Sequence, residues 1–115
     1  MKIVINKCYG GFSLSDAATM LYGKKAGINI IKDKKKSSSL IPHYYINEIK
    51  NNNYFSCRNI KRNDPFLVEV VEELGEAADG SFAELKVVEI PDNVEWEIEE
   101  YDGKEWIAEQ HRTWQ

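Results

Sequence analysis

Residues 86 to 114 read KVVEIPDNVEWEIEEYDGKEWIAEQHRTW and contain all three tryptophans of the chain. Between Val94 and Glu99, apolar residues alternate with glutamates. Alternation with a period of two indicates a strand with one buried face and one exposed face. The turn residues Asp102 and Gly103 follow, and a second strand-like run comes after them. The stretch therefore predicts a β-hairpin in the C-terminal part of the chain.

The apolar residues of the two arms indicate which residues pair across this hairpin. We expect a three-residue loop whose last residue, Gly103, adopts the left-handed conformation and forms a glycine bulge. That loop places Ile98 opposite Trp106. It also places Trp96 opposite Ala108, so the apolar faces of both strands coincide. A two-residue loop would place a tryptophan opposite a glutamate, and we therefore expect the longer loop.

The remainder of the chain predicts two helices and several short strands. Ser13 is the expected N-cap of the first helix, which we place at residues 13 to 22. Asp64 and Pro65 are a strong start signal for the second helix, because the aspartate can cap it and proline suits its first position. Strands are expected at residues 2 to 8, 28 to 32, 54 to 62 and 84 to 90.

This order of elements predicts a single domain, residues 1 to 115, of the α+β class. We expect two helices packed on a mainly antiparallel β-sheet, with the hairpin at its C-terminal end. A content of 43% hydrophobic and 30% charged residues is typical of a soluble globular protein. No apolar run reaches the length of a membrane span, and the first residues do not resemble a signal peptide.

Cysteine and histidine content predicts neither a disulfide nor a metal site. Cys8 and Cys57 are expected to be reduced thiols, since no export signal accompanies them. The sequence has no CxxC motif and only two histidines, so we expect no metal and no other cofactor.

Charge is unevenly distributed along the chain. Residues 1 to 62 contain 12 Lys and Arg against 3 Asp and Glu, whereas residues 63 to 115 contain 3 against 16. We interpret the asymmetry as a basic surface beside an acidic one, with some complementarity between them. A dedicated nucleic-acid surface is the alternative, less favoured because basic patches are common and weakly specific.

Two glycines follow the first predicted strand, in the loop Tyr9-Gly10-Gly11-Phe12. Adjacent glycines permit a tight turn or the close approach of another backbone or a ligand. The spacing matches neither the dinucleotide-binding GxGxxG motif nor a phosphate-binding P-loop. We therefore expect a turn between a strand and a helix here.

The side chains predict recognition chemistry and no catalytic residues. No nucleophile and base, and no pair of carboxylates, stand at a spacing that indicates catalysis. Arginine binds phosphate, an aromatic ring stacks on a base, and an amide hydrogen-bonds a base edge or a ribose. Residues of these types outside expected core positions are Arg58, Arg62, Arg112, Tyr9, Phe12, Phe82, Trp114 and Asn93. Together they suit a nucleotide.

Three stretches resemble one known family. They are residues 7 to 15 (KCYGGFSLS), 62 to 75 (RNDPFLVEVVEELG) and 87 to 114 (VVEIPDNVEWEIEEYDGKEWIAEQHRTW). These stretches resemble the phage-encoded Thoeris anti-defence proteins of the first type. The C-terminal stretch is the most specific of the three.

The resemblance implies a signal sponge and not an enzyme. Proteins of that family bind cyclic ADP-ribose isomers such as glycocyclic ADP-ribose, the alarm signal of Thoeris defence, without cleaving them, so that the effector is not activated. Such a protein acts in the cytoplasm of the infected bacterial host. It forms homodimers, often assembled into hexamers, and some members also bind cyclic oligonucleotides at separate sites. The alternative is a small nucleic-acid-binding or protein-adaptor phage accessory protein.

The resemblance also implies a ligand site. The family pocket uses an aromatic residue stacked on adenine, an asparagine, and arginines near the C-terminus. The positions that match best are Phe82, Asn93 and Arg112, with His111 and Thr113 adjacent, Arg58 and Arg62 secondary, and Tyr9 carried by the stretch that contains it. In the expected hairpin register Asn93 pairs with His111, which places an amide beside an arginine.

Overall fold

The computed structural model describes residues 1–35 and 43–109. Within these residues, two α-helices and seven β-strands occur. The helices are α1 (Asp16–Ala26) and α2 (Pro65–Leu74). The strands are β1 (Lys2–Asn6), β2 (Ile30–Lys32), β3 (Tyr44–Ile46), β4 (Tyr54–Phe55), β5 (Leu85–Glu89), β6 (Trp96–Tyr101) and β7 (Lys104–Glu109). This confirms the α+β class and the C-terminal hairpin.

All strand pairs among the described residues are antiparallel, and they form three small sheets. β1 pairs with β5, β3 lies between β2 and β4, and β6 pairs only with β7. Both helices contribute to one hydrophobic core. Val4 of β1 belongs to this core, together with Leu67 and Val70 of α2. These three side chains are fully buried. β7 also contacts β1, so the hairpin packs against the first strand.

The first helix begins later than the sequence indicates. The chain stays extended through Leu14, which forms a β-bridge with Asp79, and the Ser13 hydroxyl donates to the backbone carbonyl of Ser81. Ser15 is the N-cap, because its side-chain oxygen accepts a hydrogen bond from the Ala18 amide at 3.1 Å. The predicted cap at Ser13 is therefore wrong. The predicted range of residues 13 to 22 is wrong at both ends, because α1 begins at Asp16 and continues to Ala26.

The second helix begins as its sequence predicts. The Asp64 carboxylate accepts a hydrogen bond from the Phe66 amide at 2.8 Å, and Pro65 occupies the first helical position. The Tyr22 hydroxyl of α1 also donates to Asp64 at 2.8 Å. The residue that caps α2 therefore also attaches α1 to it.

The strand predicted at residues 54 to 62 is wrong beyond its first two residues. β4 ends at Phe55, and the chain then turns into a short 3-10 helix, Cys57–Asn59. Ser56 explains the turn, because its hydroxyl oxygen accepts a hydrogen bond from the Arg58 amide and so caps that helix. Arg58 and Arg62 therefore do not share a strand face.

The predicted hairpin register is also wrong. Tyr101 pairs with Lys104 across a two-residue turn, and Trp96 pairs with Glu109. Asp102 and Gly103 have φ angles of 50° and 90°. A two-residue turn with positive φ at both positions matches the right-handed twist of the strands, and Asp-Gly suits it. The geometry of the Asp102-Gly103 turn therefore determines the register. The three-residue loop was predicted from the pairing of apolar side chains, and that pairing does not form.

Candidate functional site

An open groove of about 490 Å³ lies where the glycine loop meets the hairpin turn. One side is formed by residues 9 to 12. The other lining residues are Arg58, Arg62, Glu100, Asp102, Gly103 and Glu105. The groove therefore brings together four residues that the sequence analysis proposed for recognition: Tyr9, Phe12, Arg58 and Arg62.

The glycines are required because three backbone segments meet at this place. A Cβ atom on Gly103 would lie 2.6 Å from both the Tyr9 carbonyl oxygen and the Gly11 nitrogen. A Cβ atom on Gly10 would overlap the backbone carbonyl of Phe82. The adjacent glycines thus form a turn and also allow other backbone segments to approach closely. The approaching segments are those of Phe82 and Gly103 of the same chain.

A buried ion pair fixes the hairpin to the core below the groove. Arg62 donates to both carboxylate oxygens of Glu105, from Nη1 at 2.6 Å and from Nη2 at 2.9 Å. The guanidinium carbon of Arg62 also lies 3.7 Å from the centre of the Phe12 ring, a cation–π contact. The charge of Arg62 is therefore neutralised within the protein, and this side chain acts mainly as a structural element.

Asn6 joins the same three segments through hydrogen bonds. Its amide nitrogen Nδ2 donates to the carbonyl oxygens of Cys8 and Gly103, each at 2.8 Å, and its Oδ1 accepts from the Glu84 amide at 2.8 Å. The Asn6 backbone amide donates to Glu105 at 2.8 Å. The side chain is completely buried, and all of its polar atoms are paired, so Asn6 sets the shape of the groove without facing it.

Arg58 differs from Arg62 because its charge is available. Within residues 1–35 and 43–109, no carboxylate forms an ion pair with Arg58, and the residue is exposed. An exposed guanidinium presents several N–H donors in a planar fork that fits a phosphate group. Glu100 and Asp102 also line the groove, so acceptors for hydroxyl groups lie near this cation.

Two exposed aromatic side chains flank the groove. Tyr9 is 59% exposed, and the Lys104 ammonium lies 5.5 Å from the centre of its ring. Phe82 is 71% exposed and has a φ of 64°, a conformation that is uncommon for a bulky residue. Its backbone carbonyl contacts Gly10 and accepts a hydrogen bond from the Cys8 thiol at 2.8 Å. Both rings are therefore held at the glycine loop and face solvent.

Asn93, by contrast, is not brought to the groove within the described chain. The β1–β5 ladder runs from Asn6 opposite Leu85 to Lys2 opposite Glu89, so Phe82 and Asn93 lie beyond opposite ends of β5. The N-terminal ammonium occupies the Asn93 end, where it forms an ion pair with Asp92 at 2.5 Å. His111, Arg112 and Thr113 lie outside the described residues, and so does the predicted pairing of Asn93 with His111.

Sequence reasoning missed the acidic side chains of the site. Glu105 alternates with apolar residues like the surface glutamates of the other arm, so the pattern predicts an exposed residue, yet it is 7% exposed. Asn6 directly follows a run of β-branched residues that indicates a buried strand. Its place at the end of that run could have predicted a buried polar side chain. Only long-range contacts identify Glu105.

Comparison with known proteins adds no relative. No protein-family model matches the chain, and no curated protein or solved structure matches it either. The resemblance to the Thoeris anti-defence proteins therefore stays a prediction. Among the residues described, no group of histidine, cysteine or acidic side chains is arranged to hold a metal ion. Neither α1 nor α2 has the length and apolar character of a membrane-spanning helix.

Proposed function

We propose that the groove binds a small phosphate-containing ligand, and that the protein belongs to the class of ligand-sequestering proteins. The observation that carries this proposal is the exposed Arg58 guanidinium, which has no carboxylate partner within the described residues and lies in the same groove as the exposed Tyr9 ring. A cation beside an aromatic ring is the pair of groups that a nucleotide requires.

Within that class, we propose glycocyclic ADP-ribose, or another cyclic ADP-ribose isomer, as the ligand. Arg58 would bind the pyrophosphate, and Tyr9 or Phe82 would stack on the adenine. Asp102 and Glu100 supply acceptors for ribose hydroxyl groups, a role that acidic side chains have in dinucleotide sites. A groove of about 490 Å³ lies in the size range of small-molecule sites.

The proposed activity is retention of the signal without cleavage, which prevents activation of the Thoeris effector. Support comes from the resemblance of the glycine-loop and hairpin stretches to the anti-defence family. The same resemblance supports a homodimer or hexamer in the cytoplasm of the infected bacterial host, with cyclic oligonucleotides as a further ligand class.

The test is calorimetric titration of glycocyclic ADP-ribose into the purified protein, followed by denaturation and mass spectrometry of the released ligand. We expect tight binding and recovery of intact ligand. Arg58→Gln should weaken binding by about 1.5–3 kcal/mol, the usual contribution of a hydrogen bond to a charged group. Lys61→Gln removes an exposed cation that does not line the groove, and it should leave the affinity unchanged.

Three outcomes would contradict the proposal in different ways. Equal affinity of the Arg58→Gln and Lys61→Gln variants would exclude the groove as the site. Recovery of ADP-ribose in place of the cyclic ligand would make the protein an enzyme. Salt-sensitive binding of duplex DNA with no binding of the cyclic ligand would favour the nucleic-acid alternative. Arg112→Ala, tested in parallel, should cost about 1–3 kcal/mol of binding if this residue also contacts phosphate.

A further inference from the structure

A second, smaller cavity shares Phe12 and Arg58 with the groove. Its volume is about 210 Å³. Its lining includes four aromatic side chains and three aliphatic hydroxyl side chains: Phe12, Tyr44, Tyr54, Phe55, Ser13, Thr19 and Ser56. None of the predictions from sequence singled out this cavity, because its residues come from the glycine loop, from β3 and from the chain around β4.

The cavity is apolar within and reaches solvent at its edge. Phe12, Tyr44 and Phe55 are each at most 8% exposed, whereas Tyr54 is 50% exposed. Arg58, also exposed, is the only charged residue in its lining among the residues described. A cation therefore stands where the small cavity and the larger groove adjoin, and no charge lies deeper inside.

The polar groups of the cavity are uncharged at neutral pH. Burial raises the pKa of the Cys57 thiol, so this side chain stays protonated. Burial and a hydrogen bond to Asp16 raise the pKa of the Tyr44 phenol. The Ser56 hydroxyl can donate to a ring nitrogen, and the Ser13 oxygen, whose proton is donated to the Ser81 carbonyl, can accept from an exocyclic amine. The cavity thus offers aromatic contact and hydrogen bonds, but no site for a buried ion.

We infer that this cavity binds the base of a purine nucleoside monophosphate, with the phosphate held by Arg58 at the cavity edge. An apolar cavity of about 150 Å³ accommodates benzene, so a cavity of about 210 Å³ is large enough for a somewhat larger planar ring. The aromatic walls provide stacking surface for a bicyclic ring of this size. The inference depends on the proposed function only through Arg58, and it does not require the cyclic signal.

The first experiment needs no variant. Adenosine 5′-monophosphate, adenosine and ribose 5-phosphate are titrated separately into the unmodified protein by calorimetry. We expect the monophosphate to bind at least roughly tenfold more tightly than either fragment, because only the monophosphate fills the cavity and pairs with Arg58. Equal affinity of the monophosphate and ribose 5-phosphate, or no binding of the monophosphate at millimolar concentration, would overturn the inference.

A matched pair of variants locates the base. Ser56→Leu places a larger side chain in the cavity, whereas Asn59→Leu adds the same side chain at an exposed neighbouring position that does not line it. Ser56→Leu should lower the affinity for adenosine 5′-monophosphate at least roughly tenfold, and Asn59→Leu should not change it. Unchanged binding by a folded Ser56→Leu variant would place the base elsewhere and refute the inference.

The same titrations separate this inference from the proposed function. If glycocyclic ADP-ribose binds the unmodified protein and the monophosphate does not, the inference fails and the proposed function stands. If the monophosphate binds with the expected selectivity and the cyclic ligand does not, the proposed function fails and the inference stands. If Ser56→Leu does not fold, the comparison of the monophosphate with adenosine and ribose 5-phosphate on the unmodified protein decides.

Discussion

Replacing Glu105 by glutamine tests whether the hairpin is held to the core by its buried ion pair. In the native protein both carboxylate oxygens accept hydrogen bonds from Arg62, and one also accepts from the Asn6 amide at 2.8 Å. Glutamine keeps the shape and one acceptor oxygen. It removes the negative charge, however, and turns an NH2 group towards a guanidinium that can only donate.

The cost follows from the burial of the two partners. The Glu105 side chain is 6% exposed and the Arg62 side chain 19%. Removing one member of a buried pair leaves an uncompensated charge and typically costs about 3–5 kcal/mol. The contact of Arg62 with Phe12 and its partial access to water favour the lower end of that range. We therefore expect Glu105→Gln to lower the free energy of unfolding by about 3 kcal/mol, a large share of the stability of a small domain.

Urea unfolding measures this change with two probes. Fluorescence reports the three tryptophans, of which Trp96 and Trp106 lie in the hairpin, and circular dichroism at the helical band reports α1 and α2. Glu97→Gln is the control, because Glu97 is exposed on β6 and its replacement should change stability by less than about 0.5 kcal/mol. A loss below about 1 kcal/mol for Glu105→Gln would refute the structural role of the ion pair.

Two further changes test the turn and the attachment of the helices. Gly103→Ala should destabilise the protein by at least about 2 kcal/mol more than Gly27→Ala, measured by the same unfolding assay. Both glycines have positive φ, but only at Gly103 would the new Cβ meet backbone atoms, and equal losses would contradict this reasoning. Burial, together with a hydrogen bond to Asp64, raises the pKa of Tyr22 from 10.0 to about 12. The stability linked to this phenol is therefore fully present below pH 10 and is lost as the pH rises through about 12. Tyr22→Phe should therefore lose less stability over that pH range, and an unchanged alkaline profile would exclude this linkage.

Local chemistry accounts for the parts of the fold that the sequence predicts correctly. Asp64 and Pro65 define the start of α2 without help from distant residues, because a cap and a first-turn proline act within one turn. β1 and β5 likewise follow from short runs of β-branched and other apolar residues. Such signals depend on neighbours in the chain, and they can be recognised without knowledge of the fold.

Long-range contacts decide the parts that the sequence does not predict. The register of the hairpin depends on a turn at Asp102 and Gly103 that packs against the backbone of the glycine loop, about 90 residues earlier in the chain. The pairing of apolar residues across the strands favoured a different register. Ser15, rather than Ser13, caps α1 because the chain around Leu14 is engaged with Asp79.

Arg58 and Arg62 show how the same side-chain type acquires two roles within one short segment. Both were proposed as phosphate ligands, and both line the groove. Glu105 of the hairpin forms an ion pair with Arg62. The positive charge of Arg62 therefore stabilises the fold and is not available to bind a ligand. Within the described chain, no carboxylate forms an ion pair with Arg58, so the attraction of the groove for an anion depends on this residue. The Glu105→Gln variant separates the two roles, because it should release Arg62 and retain or increase affinity for a phosphate ligand while it lowers stability. A loss of both in that variant would mean that the ion pair is needed to shape the groove itself.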